Sequence, residues 1–129
     1  VTTPPTLEPF VRQGTVLLTT YRRSGTPVGT PVHIAVEGNR AFVRTYDVAW
    51  KLKRLRNNSA IAVAPSTFRG NPTGPAIEGR ARLLDGDEAA HASRVIVRKY
   101  PVIHGLVIPL LHRLRRYKTM HIEITPGRD

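Results

Sequence analysis

Cysteine is absent from the 129-residue chain. That removes disulfides, thiolate nucleophiles and thiolate metal sites, and it suits a reducing, cytoplasmic setting, the localisation expected here. Long apolar runs are missing too. The longest, Leu106 to Leu111, is broken by Pro109 and falls far short of the ~20 residues that cross a bilayer. The start, Val1 to Thr6, lacks the basic end and apolar stretch of a secretory signal, so secretion is not expected. Aromatic residues make up 6%, with one Trp, which offers little of the aromatic interleaving of a nucleic-acid surface. The chain contains no G-x-S-x-G elbow, P-loop or G-x-G-x-x-G, so hydrolase, nucleoside-triphosphatase and Rossmann readings lack their physical parts. His33, His91, His104, His112 and His121 are scattered, without an H-E-x-x-H pairing or a surrounding acidic cluster, and no metal site is expected.

Acidic residues are scarce as well, 9 against 20 Lys+Arg, for a net charge of +11 and a pI near 11.3. Such a surface attracts anions: nucleic acid, acidic lipid or a phosphorylated small molecule. Hydrophobic content of 40% and a mean hydropathy of -0.23 are those of a folding globular chain. The length fits one domain. A Pro/Thr-rich tail over 1–13 precedes a single domain over 14–129.

Most of that domain reads as strand. Gly14 to Arg23 is a β-branched run ending in the turn signal Ser24-Gly25-Thr26-Pro27. Val28 to Glu37 alternates Val32, Ile34 and Val36 against His33, Ala35 and Glu37, then meets Gly38-Asn39 and a hairpin partner at Arg40 to Tyr46. Pro31 cannot donate to a ladder, so irregular pairing is expected around it. Val48, Leu52 and Leu55 switch to helical spacing, with Asp47 as N-cap and Asn57-Asn58 as the stop. Strands are expected at Ala60 to Pro65, Ala76 to Leu84 and Thr119 to Thr125, around a loop at Phe68 to Gly74. Asp85 opens a helix with acidic residues early and basic residues late, as the helix dipole favours, and Pro101 stops it. A further helix is expected within 102–115. Six strands joined mainly by tight turns make a mainly β fold, a small barrel with short helices.

The segment from Arg44 to Arg56 carries the chemical signal. A strand end supplies Arg44, Thr45 and Tyr46, and the next helix brings Lys51, Lys53, Arg54 and Arg56 within two turns. A cation in a helix's first turn opposes the dipole unless an anion meets it, and a phosphate is the natural guest. The competing reading is a solvated basic face. Lys51 and Arg54 share one flank of the helix, whereas Lys53 and Arg56 lie elsewhere, so the four do not grip one phosphate.

Three motifs in order, TYRR-x-G-TPV at Thr20 to Val28, the RT strand end followed by K-x-K-R-L-R at Lys51 to Arg56, and AP-loop-RG-x-P-x-GP from Ala64 to Pro75, give the chain a family likeness. It resembles the actinobacterial, F420-dependent branch of the flavin/deazaflavin oxidoreductases, relatives of the pyridoxamine phosphate oxidases, closely from Gly14 to Asp85 and more loosely to Pro126. The resemblance implies a split β-barrel, FMN-binding-protein-like, working as a homodimer with cofactor sites across the interface. It places the cofactor ring along Pro31, Val32 and His33 and near Ala64 and Pro65, and the phosphate at Thr45, Lys51 and Arg54. Lys53, Arg56 and Arg69 become candidates for the coenzyme's acidic polyglutamate tail, Arg69 from either subunit. His33 replaces the aromatic residue of many relatives. The R-x-x-x-L-K arrangement of FMN-using oxidases is absent, which favours F420, with FMN as the alternative.

The expected function is thus hydride transfer between F420 and a small organic substrate. The coenzyme carries the chemistry while the protein orients it and excludes water. His33 and Tyr46 are the candidate proton donors, with solvent as the default. A non-catalytic F420, FMN or heme carrier on the same barrel is the rival. Nucleic-acid binding through the basic helix and the His112 to Lys118 run, or membrane-surface binding by Leu106 to Lys118, is not favoured.

Overall fold

The structure, a computed structural model, describes residues 6–46, 50–101, 107, 110–111 and 119–127. Seven strands form one antiparallel sheet: β1 (Thr15–Tyr21), β2 (Pro27–His33), β3 (Ala35–Glu37), β4 (Arg40–Tyr46), β5 (Ala60–Pro65), β6 (Ile77–Leu84) and β7 (Thr119–Pro126). A short 3-10 helix at Glu8–Phe10 precedes β1, and the α-helices with described bounds are α1 (Trp50–Asn57) and α2 (Gly86–Lys99). The hydrogen-bonded order is β2-β1-β5-β6-β7-β4-β3. β2 and β3 stand at opposite edges of that order, yet only Ile34 separates them in the chain. One residue reaches about 3.5 Å, so the sheet must curl until its edges nearly meet. The result is a mostly β half-barrel.

Period-2 alternation fills the inside of the curl. Val16 and Leu18 of β1, Ala41 and Val43 of β4, Ile61 and Val63 of β5 and Ile122 and Ile124 of β7 all face inward and are buried. Leu55 of α1 closes one end of this core, and Leu7 and Phe10, ahead of β1, are buried in it as well. α2 covers part of the outer surface: its Ala92, Val95 and Ile96 pack on Ala35, Phe42 and Leu84, outward-facing residues of β3, β4 and β6.

The expected strand from Val28 to Glu37 is two strands, broken at Ile34 rather than around Pro31. Pro31 pairs in register with Leu17. An edge strand tolerates proline because it has no second neighbour to miss its N–H, whereas the turn of the sheet on itself falls at Ile34. The expected N-cap Asp47 and most of the helix expected within 102–115 lie outside the described residues. No helix among the described residues is long and apolar enough to cross a membrane.

Candidate functional site

Two surfaces gather the candidate residues. The first is the outer face of β2, β1 and β5. Register sets Pro31 beside Leu17 and Leu17 beside Ala64, all on that face. The loop after β5 folds back over the row through an antiparallel bridge between Ser66 and Pro72. Gly70, at φ +91°, brings its backbone close to Pro31, and a Cβ there would lie 3.5 Å from the proline ring. Gly74 packs more tightly still, since a Cβ would sit 2.9 Å from Pro65 Cγ. Glycine is needed at both, for conformation at Gly70 and for space at Gly74. The same loop exposes Phe68, 76% accessible, with the Arg69 guanidinium 5.4 Å from its ring centre. Pro31 and Ala64 are therefore brought together on this face, with Leu17 as a member that sequence reasoning missed and Arg69 on the loop that folds over them, whereas Pro65 pairs with the inward-facing Val16 and meets that loop at Gly74. Farther along the face, a recess of about 340 Å³ opens between Tyr21 and Gly25 on one side and Asn58, Glu78 and Arg80 on the other.

His33, the last residue of β2, lies on the same face two residues beyond Pro31, opposite Thr15 of β1. Its imidazole stacks on the Tyr100 ring, centres 5.0 Å apart and 22° from parallel. Burial, and then the nearby Lys99 ammonium, hold its pKa below the ordinary value. Val32 points the other way, against the barrel core.

The second surface is the barrel end closed by α1. Thr20 continues the inward register of Val16 and Leu18 and is buried, and Arg54 Nε donates to its hydroxyl at 2.6 Å. Burial and the charge of Arg22 push the Arg54 pKa down, so two guanidinium groups lie near each other without a carboxylate partner among the described residues. Thr45 holds the corresponding inward position on β4. The residue is 4% exposed, and its hydroxyl, among the described residues, is the buried side-chain polar atom with no hydrogen-bond partner. Such a group costs about 1–3 kcal/mol unless something satisfies it. Paired cations at the barrel end to which the alternating strand directions also bring Thr45 fit a phosphate-type anion. Arg22, exposed just past the end of β1, was not singled out from sequence, because turn residues are usually read as solvated.

Other candidates stand apart. Arg44 faces the α2 side of β4, opposite to Thr45: its Nη2 donates to Ser93 Oγ at 2.6 Å and its Nε to His121 Nε2 at 3.3 Å. Burial lowers its pKa. Lys53 and Arg56 are exposed on α1. The side chains of Lys51 and Tyr46 lie outside the described residues, and so do His104 and His112. No group of three or more metal-ligating side chains occurs among the described residues.

The family model described as pyridoxamine 5'-phosphate oxidase matches residues 3–128. Among solved structures, the heme storage protein HutZ from Vibrio cholerae is similar with a TM-score of 0.67 at 16% identity, covering 97% of this chain and 93% of that one. The conserved hypothetical protein Rv2991 from Mycobacterium tuberculosis has a TM-score of 0.67 at 19% identity, with coverage of 99% and 82%. A protein described as an F420 reductase has a TM-score of 0.58 at 16% identity, covering 98% and 97%. At these identities the likeness is one of fold. No curated protein matches the chain.

Proposed function

Because the chain belongs to the pyridoxamine 5'-phosphate oxidase family, we propose that it is an oxidoreductase that uses the deazaflavin coenzyme F420, with FMN as the alternative, to reduce a small organic substrate. The observation that carries the reading is the barrel end where Arg54 lies near Arg22 and where the Thr45 hydroxyl is buried with no partner among the described residues. A buried donor with no partner among the described residues, at the same end of the barrel as two cations with no carboxylate among those residues, is stabilised by an anionic ligand group. The similar fold of an F420 reductase supports the choice of coenzyme.

Bound there, the coenzyme supplies hydride chemistry. The chain's own residues do the rest. Arg54, with Lys51 and Thr45, holds the phosphate. Pro31, Val32, His33, Ala64 and Pro65 form the strand and strand end along which the ring lies, and Lys53, Arg56 and Arg69 meet an acidic tail. The outer face of β2, β1 and β5, with exposed Phe68 at its edge, is where a second copy covers the site. Burial, and then the Lys99 charge, disfavour the His33 imidazolium and so weigh against His33 as the proton donor.

The test is equilibrium binding of oxidised F420 and of FMN to the purified chain, with Arg54→Ala and Thr45→Val as variants. Tight F420 binding that weakens about tenfold in Arg54→Ala, as loss of a charge-assisted contact requires, supports the reading. It should be followed by oxidation of reduced F420 in the presence of candidate acceptors. FMN preference moves the protein to the flavin alternative. Binding of neither, or equal binding by both variants and the parent, overturns the assignment of this corner.

A further inference from the structure

The end of α2 makes a contact that its own anchoring does not require. Four backbone carbonyls, of Phe10, Gln13, Gly14 and Ile34, converge where the chain enters β1 and where β2 gives way to β3. Carbonyl oxygens brought together repel unless a donor sits among them. Lys99 Nζ donates to Gln13 at 2.6 Å, to Ile34 at 2.8 Å and, at 3.4 Å, to Phe10. The Tyr100 hydroxyl lies 2.7 Å from the Ile34 oxygen and 2.8 Å from that of Gly14. Ala92, Val95 and Ile96 already bury the helix, and taking a lysine out of water carries a penalty. The cluster therefore does something besides holding α2 down.

What it fixes is His33. Ile34, the residue clamped by both side chains, directly follows His33, and the Tyr100 ring that reaches the carbonyls lies flat against the imidazole. The geometry points to Lys99 and Tyr100 as positioning residues for His33: the carbonyl clamp sets the backbone from which the imidazole projects, the Tyr100 ring sets its plane, and the pair makes a fixed wall at one end of the Pro31–Leu17–Ala64 row. That this wall borders a cofactor ring rests on the function proposed above. Lys99 and Tyr100 face His33 from the end of α2, and uncharged Thr15 pairs with it from β1. Burial pushes the Tyr100 phenol up to about 12, so Tyr100 acts through its ring and its bonded hydroxyl, not as an acid.

Two measurements on the full chain test this. In NMR titration of the unsubstituted protein, the His33 ring protons should show contacts to the Tyr100 ring and a midpoint below the ordinary 6.5. Lys99→Met and Tyr100→Leu should each raise that midpoint by about half a unit or more, as removal of a like charge or of cover requires. A midpoint at 6.5 without Tyr100 contacts in the parent, a result independent of whether any variant folds, overturns the proposal. So does a midpoint unmoved in both folded variants. The second measurement is a double-variant cycle on the binding of F420 and FMN. If Tyr100 acts through His33, Tyr100→Leu, His33→Ala and the double variant weaken binding by a similar factor, roughly five- to tenfold, whereas independent residues would multiply. Multiplied losses overturn the proposal. If the parent binds neither coenzyme, the functional reading fails alone, and the titration still decides whether Lys99 and Tyr100 set His33.

Discussion

At the scale of single residues, His121 carries the clearest pH signature. It is 9% exposed, and its Nε2 accepts from Arg44 Nε, which requires an unprotonated nitrogen. Burial, then the Arg44 charge, drop its pKa to about 4. The unfolded chain takes up this proton first, so the stability present above pH 6.5 is lost as pH falls towards 4, by roughly 3 kcal/mol at most. Urea denaturation between pH 7 and 4 should show the decline, and His121→Gln, which keeps an acceptor without titrating, should flatten it. Gly79 offers a steric test. A Cβ at this position would lie 2.6 Å from the Thr125 backbone oxygen of the neighbouring strand. Backbone yields little, so Gly79→Ala should destabilise by about 2–3 kcal/mol, read from the denaturation midpoint. At this scale the sequence shows which residue types are present but not their partners. Arg44 and Thr45 are neighbours in one promising motif, and the pleat sends them to opposite faces of β4.

At the scale of elements, α2 was legible from its acidic first turn, basic last turn and amphipathic spacing, and the structure places it at Gly86–Lys99. Its hold on the sheet comes from packing. Ile96→Ala, at 1% exposure, should cost about 2–4 kcal/mol in a thermal or chemical melt. Arg82→Ala, which removes ion pairs of a half-exposed arginine with Glu88 and with Glu123, the latter still held by Arg40, should leave the midpoint nearly unchanged. The β-hairpin turn at Gly38-Asn39 and the strand Ala60–Pro65 were legible too, because turn chemistry and β-branched runs are local signals. The break at Ile34 was not, since it answers to the closure of the sheet rather than to any residue in the strand. Nor did the spacing of α2 announce that Lys99 and Tyr100 turn back onto carbonyls of Phe10 to Gly14, some 86 to 89 residues earlier in sequence.

At the scale of the whole molecule, the +11 net charge gives any anionic ligand a long-range attraction that salt screens. Affinity for F420 should fall as sodium chloride rises from low to physiological ionic strength. Sedimentation equilibrium should return twice the 14.3 kDa chain mass if a second copy covers the outer face of β2, β1 and β5, and Phe68→Ser at its edge should shift the balance towards monomer. What the sequence determined by itself is the inventory: strands from alternation, turns from glycine and proline, a basic stretch with no cysteine and no metal-binding pattern. These follow from chemistry that acts over a few residues. What only the tertiary structure decided is adjacency. The curl of the sheet sets Pro31 beside Leu17 and Ala64, leaves Thr45 buried with no partner among the described residues, brings Arg22 near Arg54, and lays Tyr100 on His33. Each of these pairings joins residues distant in sequence or turns on which face of a strand is buried, and both are consequences of closing the sheet.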